Sequence, residues 1–221
     1  MVVDTELLKK APHFSGLSPD EIESIKEHVF ERTAQDGDLI SLEGEPADTM
    51  YFVVKGIVKV YRTSPGGRDQ ILYFVRPGDS FNEVSVLDGG PNLGNAQAIG
   101  KVVLYGITSR DLEVIISSYP KVAMNLSRTL ARQIRRLASL VEDLSFRNVM
   151  SRVAKILLEQ TTDGSEAKPR LTQQDMASLA GTAREMVGRS LKSLEEEGAI
   201  RMERHRIIIR DQGLLSEIAG R

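Results

Sequence analysis

Residues 171–209, LTQQDMASLAGTAREMVGRSLKSLEEEGAIRMERHRIII, read as two short helices broken by a turn and followed by a small β-hairpin. Thr182 has Glu185 three positions on and apolar residues beyond it at helical spacing. This is the pattern of a capping box, so the second helix is expected to start near Ala183. Val187, Leu191 and Leu194 recur at helical intervals and predict one buried stripe, leaving Arg184, Glu185, Gly188, Arg189 and Lys192 on the opposite face. A basic outward face of this kind can enter and read a major groove. The first helix is expected from Thr172, with Asp175 where a capping box usually has Glu or Gln, and should bury Met176, Leu179 and Ala180. Gly181 supplies the break between the helices. Past Gly198, the short Ile-rich runs 199–202 and 206–210 flank Glu203, Arg204 and His205, which predicts a wing with His205 at its tip, near phosphate. The whole reads as a winged helix-turn-helix.

With these residues in view, QQDMASLAGTAREMVGRSLKSLEEEG resembles the DNA-binding motif of the CRP/FNR family of bacterial transcription regulators. The match is carried by Arg184, Glu185, Val187, Gly188, Arg189, Leu191 and the Leu194-Glu195 pair. The resemblance implies that Arg184, Glu185 and Arg189 read bases. Arg forks suit guanine O6 and N7, and Glu accepts from a cytosine amino group. It implies a palindromic operator with half-sites resembling TGTGA. Thr172, Gln173, Thr182 and Lys192 are then placed at phosphates, where they set register without reading sequence.

Among the 221 residues, 29 basic against 31 acidic give a net charge of −2, so attraction to double-stranded DNA has to come from local placement of charge. The absence of cysteine excludes disulfides, thiolate zinc sites and cysteine-held iron–sulfur clusters. Residues 1–16 lack the apolar core of a signal peptide, and no apolar run reaches membrane length, so a cytoplasmic protein with no membrane partner is expected.

Leu7, Leu8, Phe14, Leu17, Ile22 and Ile25, with Ser18-Pro19 as a cap, predict a helical N-terminal segment up to about His28. From Val29 to Thr108 short apolar runs are punctuated by turn pairs such as Asp36-Gly37, Pro65-Gly66 and Pro77-Gly78, the texture of an antiparallel jelly roll. MYFVVKGIVKVYR is expected to form two strands pivoting at Lys55-Gly56. GEPADTMYFVVKGIVKVYR and RPGDSFNE resemble the family's β-roll sensor domain. After Pro120 a helix runs without glycine or proline to about Leu144. Ser127, Ile134 and Val141 alternate in heptad register with Ala123, Leu130, Leu137 and Leu144, which predicts a parallel two-stranded homodimer. Leu126 and Leu140 form a second stripe. Residues 146–148 are expected as a hinge, 149–160 as a helix burying Val153, Ile156 and Leu157, and 161–169 as a polar loop.

Catalysis finds no support. The histidines are His13, His28 and His205, none inside the β-rich stretch, so a cupin-type metal centre lacks ligands, and no serine stands in a nucleophile elbow. No metal site and no catalytic residue is assigned. The family's cyclic-AMP-binding members carry a Gly-Glu pair followed after a loop by Arg-Ser, which hold the cyclic phosphate. Here the matching places read Asn82-Glu83 and Gly94-Asn95, with no Arg or Lys from Pro77 to Gly100, and the Thr-Ser pair on the long helix is replaced by Leu137 and Ala138. The resemblance thus implies an effector other than cyclic AMP. Phe81, Asn82, Glu83, Leu137, Ala138 and Leu140 are the candidate pocket, suited to an apolar or aromatic ligand. FNEVSVLDGGPNLGNAQAIG also resembles the nitric-oxide-responding members, which admits haem, with His13 or His28 reaching in as axial ligand. Activity set by dimer abundance alone is the further alternative.

The resulting expectation is an α+β chain: a β-roll (jelly-roll) sensor domain in residues 1–118, a dimerisation helix in 119–146 with Leu130, Ile134, Leu137, Val141 and Leu144 at the interface, and a winged helix-turn-helix in 147–221. RNA polymerase is the implied protein partner. The reading from another class is a ligand-binding module acting through protein contact.

Overall fold

The computed structural model describes residues 3–162, 171–203 and 206–220. The chain divides into two compact units, Met1–Arg62 with Tyr73–Arg136, and Thr63–Leu72 with Leu137–Arg221.

The first unit opens on α1 (Thr5–Lys9), a 3-10 turn at Pro12–Phe14 and α2 (Pro19–Lys26). The Ser18 hydroxyl accepts from the Glu21 N–H while Glu21 reaches back to the Ser18 N–H, so two otherwise orphaned donors are met and Pro19 starts the helix where its missing N–H costs nothing. Six strands follow: β1 (Phe30–Ala34), β2 (Leu39–Ser41), β3 (Thr49–Thr63), β4 (Asp69–Val75), β5 (Ser80–Phe81) and β6 (Asn95–Thr108), ordered β1-β6-β3-β4 with β2 on β6 and β5 on β3. Between β5 and β6 lies α3 (Glu83–Asp88). Behind β6 come α4 (Ser109–Ser118) and the long α5 (Pro120–Phe146).

The expected hairpin at Lys55-Gly56 is corrected: β3 is one fifteen-residue strand. Both of its halves pair with β6, and the register slips between Val53 and Lys55 and again between Lys55 and Ile57, which marks a bulge. Gly56 sits at φ +86, and a Cβ there would lie 2.6 Å from the Lys101 carbonyl oxygen, so only glycine passes this point without displacing β6. Ile22, Ile25, Met50, Phe52, Ile107, Leu112, Ile115, Val122 and Leu126 form one buried cluster that fastens α2, α4 and the start of α5 to the sheet. Burial on this scale contributes about 1.5–3 kcal/mol per large side chain.

In the second unit, α6 (Val149–Thr162), α7 (Gln173–Ala180), α8 (Arg184–Glu196), the hairpin β7 (Ile200–Glu203) and β8 (Arg206–Ile209), and α9 (Gln212–Gly220) close over Val153, Leu157, Met176, Leu191, Leu194 and Leu215. Asn148 caps α6, accepting from the Ser151 N–H at 2.9 Å. Asp143, near the end of α5, pairs with Arg147 at 2.8 Å and also binds Lys155 of α6. These pairs span residues 146–148, where a hinge is expected. The expected polar loop at 161–169 lies, apart from the two residues that end α6, outside the described residues, as does His205.

Candidate nucleic-acid interface and effector cavity

The helix-turn-helix pair starts at Thr172, whose hydroxyl accepts from the Asp175 N–H at 3.1 Å. Its own N–H and hydroxyl both donate to the Asp175 carboxylate, at 2.9 and 2.7 Å, so the shorter acid still completes the box. With both donors on Asp175, Thr172 fixes the start of α7. Met176, Ala177 and Ala180 are buried, whereas Leu179 is only half-buried, because the inner face of α7 falls on the small residue instead. Arg152 on α6 donates to the Ala180 carbonyl at 2.7 Å, and Gly181 (φ +61) turns the chain. The expected capping box at Thr182 is corrected. Ala183 is the N-cap and has no side-chain cap bond, because the Thr182 N–H closes the end of α7 by donating to the Ala177 carbonyl at 3.0 Å.

Within α8, Val187, Leu191 and Leu194 are wholly buried, as the spacing predicts. Arg184, Glu185, Arg189 and Lys192 are exposed, with Gly188 between them. Lys192 lies 3.7 Å from Glu196, a loose surface pair, while Arg184, Glu185 and Arg189 form no side-chain hydrogen bond or ion pair with another described residue. Nothing lies within 4 Å of a Cβ placed on Gly188, so this stretch of backbone is open to a close approach from outside. Three unengaged hydrogen-bonding groups on one exposed face around a bare backbone patch suit contact with base edges.

The first unit holds a cavity of about 210 Å³. Thr129, Arg132, Gln133 and Arg136 of α5 face it, opposite Tyr73, Asp79 and Ser80, with His13 also at the wall. None of Phe81, Asn82, Glu83, Leu137, Ala138 and Leu140 lines it. Phe81 is fully buried and stacks on Tyr51 with ring centroids 5.4 Å apart. Asn82 takes a left-handed backbone (φ 66), and Leu137, Ala138 and Leu140 belong to the second unit. Glu83 stands just behind the cavity, 1% exposed, accepting from Ser80 and, at 3.2 Å, from Gln133. Burial raises its pKa above the ordinary carboxylate value, with Ser80, its own backbone and Gln133 pulling the other way.

His13 is fully buried, its Nε2 3.2 Å from the Ser80 hydroxyl and its Nδ1 without a hydrogen-bond partner. Since Ser80 gives its single proton to Glu83, Nε2 is the protonated nitrogen of His13 and Nδ1 a bare lone pair. Burial first, and the Arg132 charge second, lower the imidazole pKa to about 4. Arg132 donates to the Thr129 hydroxyl at 2.8 Å, and the Arg136 guanidinium lies 5.8 Å from the centre of the Tyr73 ring. Sequence reading missed this set because His13, Tyr73 and Arg132 are far apart in the chain; the only signal that could have found part of it is the helical spacing of Thr129, Arg132, Gln133 and Arg136.

At the place of the family's phosphate-holding Arg, a Cβ on Gly94 would lie 2.9 Å from the Tyr61 carbonyl oxygen, so a side chain there must displace backbone. The residues present do not fit a cyclic phosphate. Haem fits no better: the cavity is below the roughly 300 Å³ at which drug-sized pockets begin, and His28 is committed to Asp111 at 2.9 Å. No group of three or more His, Asp or Glu able to hold a metal occurs among the described residues. No described helix is long and apolar enough to cross a membrane.

Comparison with known proteins adds to this geometry. A cyclic nucleotide-binding domain model matches residues 31–119, and a Crp-like helix-turn-helix domain model matches residues 151–218. The chain is 34% identical to the cyclic AMP receptor protein of Thermus thermophilus, over 96% of this chain and 98% of that protein. It is 33% identical to a CRP-like cAMP-activated global transcriptional regulator of Mycobacterium tuberculosis, over 97% and 99% of the two chains. The structure of FixK2 from Bradyrhizobium japonicum is similar at a TM-score of 0.75 and 27% identity, covering 86% of this chain and 96% of that one.

Proposed function

Because this chain belongs to the CRP/FNR family, whose members are DNA-binding transcription regulators and not enzymes, we propose that it works as a homodimer on a palindromic operator with TGTGA-like half-sites, under an effector other than cyclic AMP. Residues 1–118 serve as the effector domain, 119–146 as the dimer helix and 147–221 as the DNA-binding domain.

The observation that carries the proposal is the outer face of α8, where Arg184, Glu185 and Arg189 stand exposed and unengaged around Gly188. Arg184 and Arg189 fork onto guanines and Glu185 accepts from a cytosine; no capping bond ties Glu185 down. Gln173, Thr182 and Lys192 meet phosphates, and Thr172 acts through the cap of α7. Dimerisation is supported by α5: Ile134 is 66% and Val141 63% exposed in the single chain, in register with Leu130, Leu137 and Leu144, an apolar seam that a second copy would cover. RNA polymerase is the protein partner of the bound dimer.

The exclusion of cyclic AMP rests on Gly94 and on the Leu137-Ala138 replacement. A lost charge-assisted contact of the bidentate kind costs about 2–3 kcal/mol, roughly a hundredfold in affinity. The test is a mobility-shift titration on a duplex carrying two inverted TGTGA half-sites and on a scrambled duplex, with and without cyclic AMP. Retention of the palindrome alone, unchanged by the nucleotide, is expected. Equal retention of both duplexes overturns the operator reading, and a rise in affinity with micromolar cyclic AMP overturns the effector reading.

A further inference from the structure

The cavity between α5 and the turn into β5 contains charge that the proposed DNA contacts do not use. Arg132 and Arg136 are one helical turn apart on the same face of α5, and both line the space. Across from them stands one acid, Asp79. With His13 neutral, the groups facing the cavity sum to a single positive charge. The Arg136 guanidinium lies over the Tyr73 ring and Arg132 is hydrogen-bonded to Thr129, which lowers the cost of ordering them around a guest. Pro12, Phe74 and Val75 supply apolar wall. His13, also at the wall, is fully buried, with Nδ1 unpartnered.

We propose that this cavity is a receptor site for a small organic monocarboxylate with a flat or short apolar body, its carboxylate held by Arg132 and Arg136. The volume of about 210 Å³ lies below that of drug-sized pockets and suits a body no larger than a single ring. Arg is the residue for this task because its planar fork matches both carboxylate oxygens, whereas the neutral amide of the same shape offers only one acceptor and no charge. The site deepens the reading as a ligand-responsive regulator, and it rests on that reading only for its consequence, the fastening of α5 to the β4–β5 side of the β-roll.

The test is calorimetry on the full-length protein with benzoate as probe, benzamide as its neutral isostere, and inorganic phosphate as an anion of another shape. Saturable benzoate binding is expected. It should weaken at least tenfold in Arg132→Gln and in Arg136→Gln and stay unchanged in Lys101→Gln, a remote exposed cation, with benzamide and phosphate not binding. Circular dichroism confirms that each variant is folded; should either Arg variant unfold, Arg136→Lys, which keeps the charge and loses the fork, takes its place with the same expected weakening. Benzamide binding as tightly as benzoate, phosphate binding in its stead, benzoate binding that survives the Arg replacements, or no saturable benzoate binding up to millimolar concentration each overturn the proposal. Retention of the palindromic duplex, measured in the same preparation, distinguishes failure of this site from failure of the regulator reading.

Discussion

The side-chain amide of Gln133 on α5 donates to the Glu83 carboxylate at 3.2 Å, so the long helix is hydrogen-bonded to an acid buried at the start of α3. Ser80 satisfies the other oxygen of the same carboxylate and in turn accepts from His13, giving a continuous polar chain through the first unit. Gln133→Leu leaves one carboxylate oxygen without its donor and is expected to cost about 1–3 kcal/mol. Thermal unfolding should register this as a fall of about 2–4 °C per kcal/mol. An unchanged midpoint would mean that water replaces the amide without loss.

Burial of His13 has a pH signature. Its pKa falls from 6.5 to about 4, so below pH 6.5 the unfolded chain takes up a proton that the folded chain refuses until about pH 4. Stability present above 6.5 is therefore lost as the pH drops through that window, by about 3 kcal/mol in all. Glu83 works in the opposite sense, since its raised pKa makes the folded chain bind its proton first. Comparing the wild type with His13→Gln cancels the Glu83 contribution. The wild type should lose stability relative to the variant on acidification, and a gap that does not change with pH would contradict the buried neutral imidazole.

The helices α5, α6, α7 and α8 were legible in the sequence, because each keeps one apolar stripe at helical spacing, although the capping of α8 was not. The β-roll was legible as a texture, but β3 was not. A Lys-Gly pair between apolar runs signals a turn locally, and only the pairing of both halves with β6 reveals a bulge. α4 and α9 went unannounced, being short segments whose helical state is decided by the cores they close. Thr182 illustrates the same limit at a single residue: its capping pattern is real, but its N–H is taken by the preceding helix. The cavity escaped reading altogether, since its walls come from three segments brought together only by folding.

Gly188 offers a test that separates stability from recognition. A glycine inside a helix costs roughly 1 kcal/mol relative to alanine, and a methyl group here meets nothing within 4 Å. Gly188→Ala should therefore raise the unfolding midpoint while weakening DNA binding, because the methyl stands where the backbone approaches the groove. Equal or tighter DNA binding in a stabilised Gly188→Ala would show that this face of α8 does not meet DNA closely.

The seam on α5 makes a prediction about assembly. Ile134→Lys would place two ammonium groups face to face in one layer of a parallel pair, a costly burial of unpaired charge. Since Ile134 is 66% exposed in the single chain, the monomer fold should be untouched. Light scattering is expected to give a monomer with unchanged circular dichroism. An intact dimer would place the interface elsewhere.

The most direct test of the account is selection of bound duplexes from a random pool by the wild type and by Arg189→Ala. The wild type should enrich a palindrome whose TGTGA-like half-sites are centred about one helical turn apart, as two recognition helices in successive major grooves require. Arg189→Ala should keep the palindrome but lose preference at one guanine in each half, at a cost of about 1–3 kcal/mol. Enrichment of no palindrome, or a full wild-type motif retained by Arg189→Ala, would contradict a dimer that reads DNA through the outer face of α8.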